Sequence, residues 1–444
     1  MTTLVVHPAS RPLAGSVPVP ADTEIALRAI AFGALGQGTT HVAGLPHHDA
    51  IVALGRVLRA LGVGIDPASA SEWRIAGVGR RGLVAPSVDL DCGDSMSAMA
   101  LLCGLLVGQH FRSNLTTGGS LSGADLTELV APLRLRGGLV ASLRAPHGAT
   151  LGPPLAIGPL PEGRTLSPLE HEADLADPHV KTALLLSSLY ADGPTIYREP
   201  HVSSDHTERM LTSLGAPIHT IGTVVRVDPA GWEGSWPAFR ATVPGDLSAA
   251  AILVAAAQLV PGSRITVRGV ATNPTASGFL DIARDLGAGV QIEAHGETLG
   301  EPVADLHAWC GATRAAVVGG EALERAMGDL LAACAIAALA PGTTRVRTVD
   351  AGSQALGATA ALLGAFGVEC TTEPDGIVMH GRAAPLSAAN VDGAGDPRLA
   401  MTACVLALAA GGPSRVRNAG SIAAEFPKFV ATLRALGAHI DVEP

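Results

Sequence analysis

The chain has 444 residues, of which 48% are apolar but only 3% aromatic, and a formal net charge of −10. That length suggests more than one domain, and an interior filled by small side chains suits closely packed helices. The acidic balance, with no basic run, argues against a nucleic-acid partner, and no apolar run is long enough to span a membrane.

The first residues, Met1-Thr2-Thr3-Leu4-Val5-Val6, lack the parts of a signal peptide. Six cysteines, Cys92, Cys103, Cys310, Cys334, Cys370 and Cys404, show no paired spacing. They read as free thiols in a reducing compartment, so a soluble cytoplasmic protein is expected.

Residues 1–18 predict a strand and a loop. A helix follows with Asp22 as its N-cap and runs to Leu35. A second opens at Cys92-Gly93-Asp94-Ser95-Met96-Ser97, a third at Asp177-Pro178-His179-Val180-Lys181 and a fourth at Pro244-Gly245-Asp246. The fifth opens at Gly328-Asp329-Leu330 and the sixth at Gly395-Asp396-Pro397-Arg398. The runs Ala249–Val260, Leu330–Ala340 and Met401–Ala410 are apolar on every side, as buried helices are. Each opening helix starts at or near an aspartate, which suits both capping and the positive helix end.

Six glycines, Gly62, Gly137, Gly215, Gly287, Gly367 and Gly437, each sit between a helical and a strand-like stretch, 70–80 residues apart. A glycine in that place closes a helix in the left-handed conformation, and six at a near-constant period mean a repeated unit. A second cue, a small-residue helix followed by Gly with Thr, Ser or Pro and an alternating strand, recurs in phase. Gly38-Thr39-Thr40, Gly262-Ser263-Arg264 and Gly342-Thr343-Thr344 are examples. Each unit of about two helices and several strands fills one sixth of the chain.

Several stretches carry a resemblance. They are Leu90-Asp91-Cys92-Gly93, Val180-Lys181-Thr182, Asp205-His206-Thr207-Glu208-Arg209, Val243-Pro244-Gly245-Asp246, Asn273-Pro274-Thr275 and Phe426-Pro427. Together they resemble the enolpyruvyl transferases, and within them the EPSP synthase group, over nearly the whole chain. The resemblance implies a two-domain α/β fold, an inside-out α/β barrel of six βαβαββ-type units, three per domain. Domain one would combine residues 1–18 with 242–444, domain two would be 19–241, and the site would lie in a cleft between them.

The resemblance weakens at the positions that carry the family's chemistry. Its Lys-Ser pair at the first helix is Thr23-Glu24 here, and only Arg28 remains. Its Gly-Asn-Ala-Gly-Thr segment becomes Gly93-Asp94-Ser95-Met96-Ser97, with Ala100 in the place of an Arg. A Lys-Arg pair becomes Gly123-Ala124, and Asp177-Pro178-His179 replaces a phosphate-binding Ser-Ser/Ala-Gln. The family's catalytic Asp aligns with Gly328, or with Asp329 if one residue is deleted. Its Lys-Glu-Ser/Thr-Asp-Arg motif is absent from Asp350-Ala351-Gly352-Ser353-Gln354-Ala355-Leu356, and the Lys before Phe-Pro is Ala424, beside Glu425.

A charge-assisted hydrogen bond contributes about 1.5–3 kcal/mol. Losing roughly five cationic partners then costs more than about 5 kcal/mol, several decades in affinity. The expectation is therefore a divergent enzyme that does not use phosphoenolpyruvate. It would be a lyase, a dehydratase that eliminates water from a shikimate-like cyclohexene carboxylate, free or thioester-linked, in a specialised biosynthetic pathway. The alternatives are an enolpyruvyl transferase on a shikimate-like or other hydroxyl acceptor, and a non-catalytic binding protein.

His179, Asp329 and Asp94 are the candidate catalytic residues, as acid–base groups at helix starts. Arg28, Glu24, Ser97, Asp177, Lys181, Arg398 and Glu425 are the candidate substrate-binding residues. For Arg28 the competing reading is an i,i+4 salt bridge to Glu24; for Asp94 it is helix capping; for Lys181 it is a structural role. His47 and His48 have no matching ligand spacing, so no metal and no cofactor are expected. The expected partner is a small-molecule carboxylate, with no nucleic acid, no membrane, and a monomer or weak homo-oligomer in solution.

Overall fold

The computed structural model describes residues 2–144, 150–347 and 353–443. Of the segment Asp350–Leu356, residues 350–352 therefore lie outside the described residues. Six four-stranded sheets are present among the described residues, and in each an edge strand runs parallel to its neighbour. The sixfold repetition read from the glycines is thus a repetition of sheets. All six stop glycines take positive φ, between 77° and 111°, where a side chain would clash with the backbone.

The six opening helices are α1 (Thr23–Leu35), α2 (Met96–Leu106), α3 (Pro178–Ser188), α4 (Leu247–Leu259), α5 (Leu330–Ala337) and α6 (Pro397–Ala407). Nearly every residue of each is buried, which explains their lack of a polar face. Small residues let them approach closely: a Cβ at Gly104 of α2 would lie 2.6 Å from the Ala183 carbonyl oxygen of α3.

Two compact units divide the chain. One comprises residues 1–20, 244–296 and 302–444; the other comprises 21–243 with Glu297–Glu301. In the first unit, β1 (Thr3–Val6) lies between β2 (Ser414–Arg417) and β3 (Ile440–Glu443), antiparallel to both. α4, α5 and α6 pack in the core of that unit. In the second unit, Glu301 is fully buried and its Oε1 lies 2.8 Å from Nδ1 of the buried His206, on the helix His206–Ser213. His206 therefore sits in a core ion pair. The opposing carboxylate raises it despite its burial.

Two corrections concern the helix starts. α2 is capped by Ser95, whose side chain accepts from the Ala98 amide, and not by Asp94. Asp329 stands before α5 without capping it. Asp22, Asp177, Asp246 and Asp396 do cap their helices, each accepting from one or two amides of the first turn.

Candidate active site

In the unit built from residues 21–243, the first turns of α1, α2 and α3 wire Arg28, Glu24, Ser97, His179 and Asp177 into one continuous network. Arg28 is 2% exposed. A buried guanidinium must find acceptors, and here every nitrogen does. Nη1 donates to Oε2 of Glu24 at 2.8 Å and to the Glu24 carbonyl oxygen at 3.0 Å. Nε donates to Oγ1 of Thr207 at 2.9 Å, and Nη2 to Oγ1 of Thr182 at 3.1 Å. The i,i+4 salt bridge expected as the competing reading of Arg28 is therefore present.

The second carboxylate oxygen of Glu24 accepts from Ser97 Oγ at 2.5 Å. Ser97 Oγ in turn lies 3.2 Å from His179 Nε2, and His179 Nδ1 lies 3.2 Å from Oδ1 of Asp177. The imidazole is thus held at both nitrogens, between a carboxylate and a hydroxyl. Burial would raise the Glu24 carboxyl, but the Arg28 charge and the hydrogen bonds from Ser97 and Arg28 prevail and bring it down to about 2. Burial likewise opposes Asp177, and the hydrogen bond and charge of His179 and two helix amides hold it below the carboxylate range. The result is two fixed negative charges around one imidazole, one guanidinium and one hydroxyl.

Two further predicted residues of this unit, Asp94 and Lys181, lie outside the network. Asp94 is exposed, and its oxygens accept from the Ser120 amide and hydroxyl and from the Leu121 amide. Those backbone bonds hold it ionised and make it the anchor of the turn Gly119–Gly123. Lys181 is 1% exposed, with Nζ 3.0 Å from Glu199 and 2.9 Å from Glu208 and a further bond to the Ser203 carbonyl. It is a core ion triad that leaves the ammonium no free face, in keeping with the structural reading. His48 caps the helix Asp49–Ala60 through Nδ1, 3.2 Å from the Ala50 amide.

In the other unit, the starts of α4, α5 and α6 form a second cluster. Asp329 is 6% exposed, and its Oδ1 has no hydrogen-bond partner. Burial pushes its carboxyl up to about 6, against the lowering effects of the Ser248 hydroxyl and the Arg398 charge. Arg398 lies 3.5 Å from Glu425 and donates to the Gly328 carbonyl oxygen at 3.4 Å. A Cβ on Gly328 would sit 3.3 Å from both Arg398 Nη1 and Ser248 Oγ. Positions 328 and 329 therefore both border this cluster, and 329 carries the carboxyl group.

Sequence reasoning missed Thr182, Thr207 and Ser248. The two threonines orient Arg28 from 154 and 179 residues away, a separation no local pattern reveals. The available signal was Arg28 itself, a guanidinium with more donors than Glu24 of the same helix can satisfy.

The family model for EPSP synthase (3-phosphoshikimate 1-carboxyvinyltransferase) matches residues 8–433. The chain belongs to the EPSP synthase family. A 3-phosphoshikimate 1-carboxyvinyltransferase of Geobacter sp. (strain M21) is 36% identical over 98% of this chain and 99% of its own. The corresponding enzyme of Geobacter sulfurreducens is 37% identical with the same coverage. Among solved structures, the EPSP synthase of Acinetobacter baumannii superimposes with a TM-score of 0.91 over the full length of both chains at 29% identity. The enolpyruvyl transferase NikO of Streptomyces tendae, at 16% identity and a TM-score of 0.76, shares the fold.

These findings establish an enzyme on the two-domain enolpyruvyl-transferase fold and overturn the expected dehydratase. The relatives matched from end to end are carboxyvinyltransferases, and none of these matches points to a lyase or to a specialised pathway. The physical fault in the expectation lies in counting cations at motif positions alone. Anion binding also draws on helix amides and dipoles, which a count of cations leaves out.

Proposed function

We propose that this EPSP synthase family member transfers a carboxyvinyl group from phosphoenolpyruvate to a ring hydroxyl of a shikimate-type acid. The observation that carries this reading is the uninterrupted similarity to 3-phosphoshikimate 1-carboxyvinyltransferases over 98% of the chain. Forming the new C–O bond requires the acceptor hydroxyl to give up its proton. The Asp177–His179–Ser97–Glu24 relay supports a proton-handling role for His179, with Asp177 fixing its ring. In the other unit, the carboxyl group of Asp329, pushed up to about 6, has the poise to exchange a proton near neutral pH. Glu24 and Arg28 would act as one neutral pair that shapes the acceptor side. Arg398 and Glu425 would border the group served by Asp329. The six free cysteines suit a reducing compartment and support a cytoplasmic location. Among the described residues no helix is long and apolar enough to cross a membrane.

The test is incubation with phosphoenolpyruvate and either shikimate or shikimate 3-phosphate. Mass spectrometry should find the acceptor heavier by one carboxyvinyl group, with one inorganic phosphate released per product. No phosphate release with either acceptor overturns the reading. His179→Ala should slow turnover by about 10²–10⁴-fold while the circular dichroism spectrum stays unchanged. Full turnover in that variant removes the imidazole from the mechanism.

A further inference from the structure

We propose that His7, His439 and Asp441 bind a divalent transition-metal ion of the Zn²⁺ type. The argument begins with strand register. β1 and β3 are antiparallel, with Val6 opposite Ile440, and the His7 amide donates to the His439 carbonyl oxygen at 3.0 Å. His7 and His439 therefore face each other across the two strands. Residue 441, two positions along β3, projects to the same side as 439. The side chains meet accordingly: His7 Nε2 lies 2.9 Å from Oδ2 of Asp441, and His439 Nε2 lies 3.6 Å from its Oδ1. Among the described residues, this is the group of three potential ligands whose donor atoms fall within 4.8 Å of one another.

With metal–nitrogen and metal–oxygen bonds near 2.1 Å, neighbouring ligand atoms around a tetrahedral ion stand roughly 3.4 Å apart. The two observed separations bracket that value. The imidazoles are stacked, 4.1 Å between centroids and 11° from parallel, so one ring has to turn before both lone pairs meet a single ion. His439 can do so, because its side chain is 67% exposed and the torsion of a ring about its Cβ is broad. Asp441 supplies a carboxylate ligand, with one oxygen towards each imidazole. The Arg434 charge opposes a cation, but its guanidinium is turned onto the Ile440 carbonyl oxygen. Two imidazoles and one carboxylate select zinc, copper or nickel over magnesium or calcium. The ion would join the first strand of the chain to the last, leaving the proposed transfer chemistry to other residues.

Untagged full-length protein, stripped by chelation, is titrated with Zn²⁺ in a calorimeter. Cu²⁺ is used in parallel for electron paramagnetic resonance. The expected results are one saturable Zn²⁺ site, two coupled ring nitrogens on Cu²⁺, no response to Mg²⁺, and a urea midpoint that rises with Zn²⁺. His439→Ala and Asp441→Ala should each weaken binding by at least about tenfold, the loss that even an outer-shell partner can cause. Both should also erase the shift in midpoint. All three side chains lie at the surface, so the variants keep the core intact. Absent saturable binding, equal binding in the variants, or equal competition by Mg²⁺ each overturns the proposal.

Discussion

The two helix-end clusters place a carboxyl group at comparable positions and give it opposite characters. Around α1, α2 and α3 the carboxyl groups are provided for. Glu24 has Arg28 on one oxygen and Ser97 on the other, and it stays ionised down to about pH 2. Around α5, Asp329 is buried with one oxygen unpartnered, and its carboxyl titrates at about 6. The helix start alone therefore does not decide what a carboxyl group does. Its hydrogen-bond partners decide, and they separate a fixed charge from a group that can exchange a proton near neutrality.

The comparison breaks most visibly beneath the first cluster, on α3. Lys181→Met strands Glu199 and Glu208 in the core without a cation, and should cost about 3–5 kcal/mol of stability in urea unfolding. A loss below about 1 kcal/mol would mean that water reaches the triad and that α3 is a looser platform for His179 than described. Next comes Asp329→Asn. The folded carboxyl group sits above its ordinary value, so the folded state holds its proton more tightly than the unfolded chain. Stability contributed by this group is present below about pH 4 and lost as pH rises through about 6. Relative to the Asn variant, the native protein should lose roughly 3 kcal/mol across that window. Parallel stability curves would show that Asp329 titrates normally.

The smallest effect belongs to Glu24→Gln. Its folded carboxyl group lies below the ordinary value, so its contribution is present above about pH 4.5 and fades as pH falls towards 2. Because the Glu24 side chain is 41% exposed, the difference will be modest. It is read as a shallower decline of stability with acid in the variant. An identical slope would show that Arg28 does not hold Glu24 ionised.

The sixfold architecture was legible because stop glycines and apolar helices are local signals, and each unit repeats them. Gly62 and Gly437 announce their helix ends without help from distant residues. The Glu24–Arg28 pair was legible for the same reason, as an i,i+4 spacing on one helix. What stayed hidden was set by tertiary contact. The side chain of Asp94 turned to a loop 26 residues away, which left the cap to Ser95. Thr182 and Thr207 reached Arg28 from other helices, and His7 met Asp441 across 434 residues. The function was misjudged for a related reason. The expectation summed charge at a few motif positions, whereas similarity along the whole length carried the activity class.

The position of β1 also bears on how the molecule is made. The strand Thr3–Val6 is synthesised long before both strands that flank it, Ser414–Arg417 and Ile440–Glu443. Its edges therefore stay unpaired until those strands have been made, a period in which open strands invite pairing with foreign chains. The compact unit drawn mainly from residues 21–243 has most of its sequence available far earlier. Translation thus supplies most of that unit's residues ahead of the strands that complete the other.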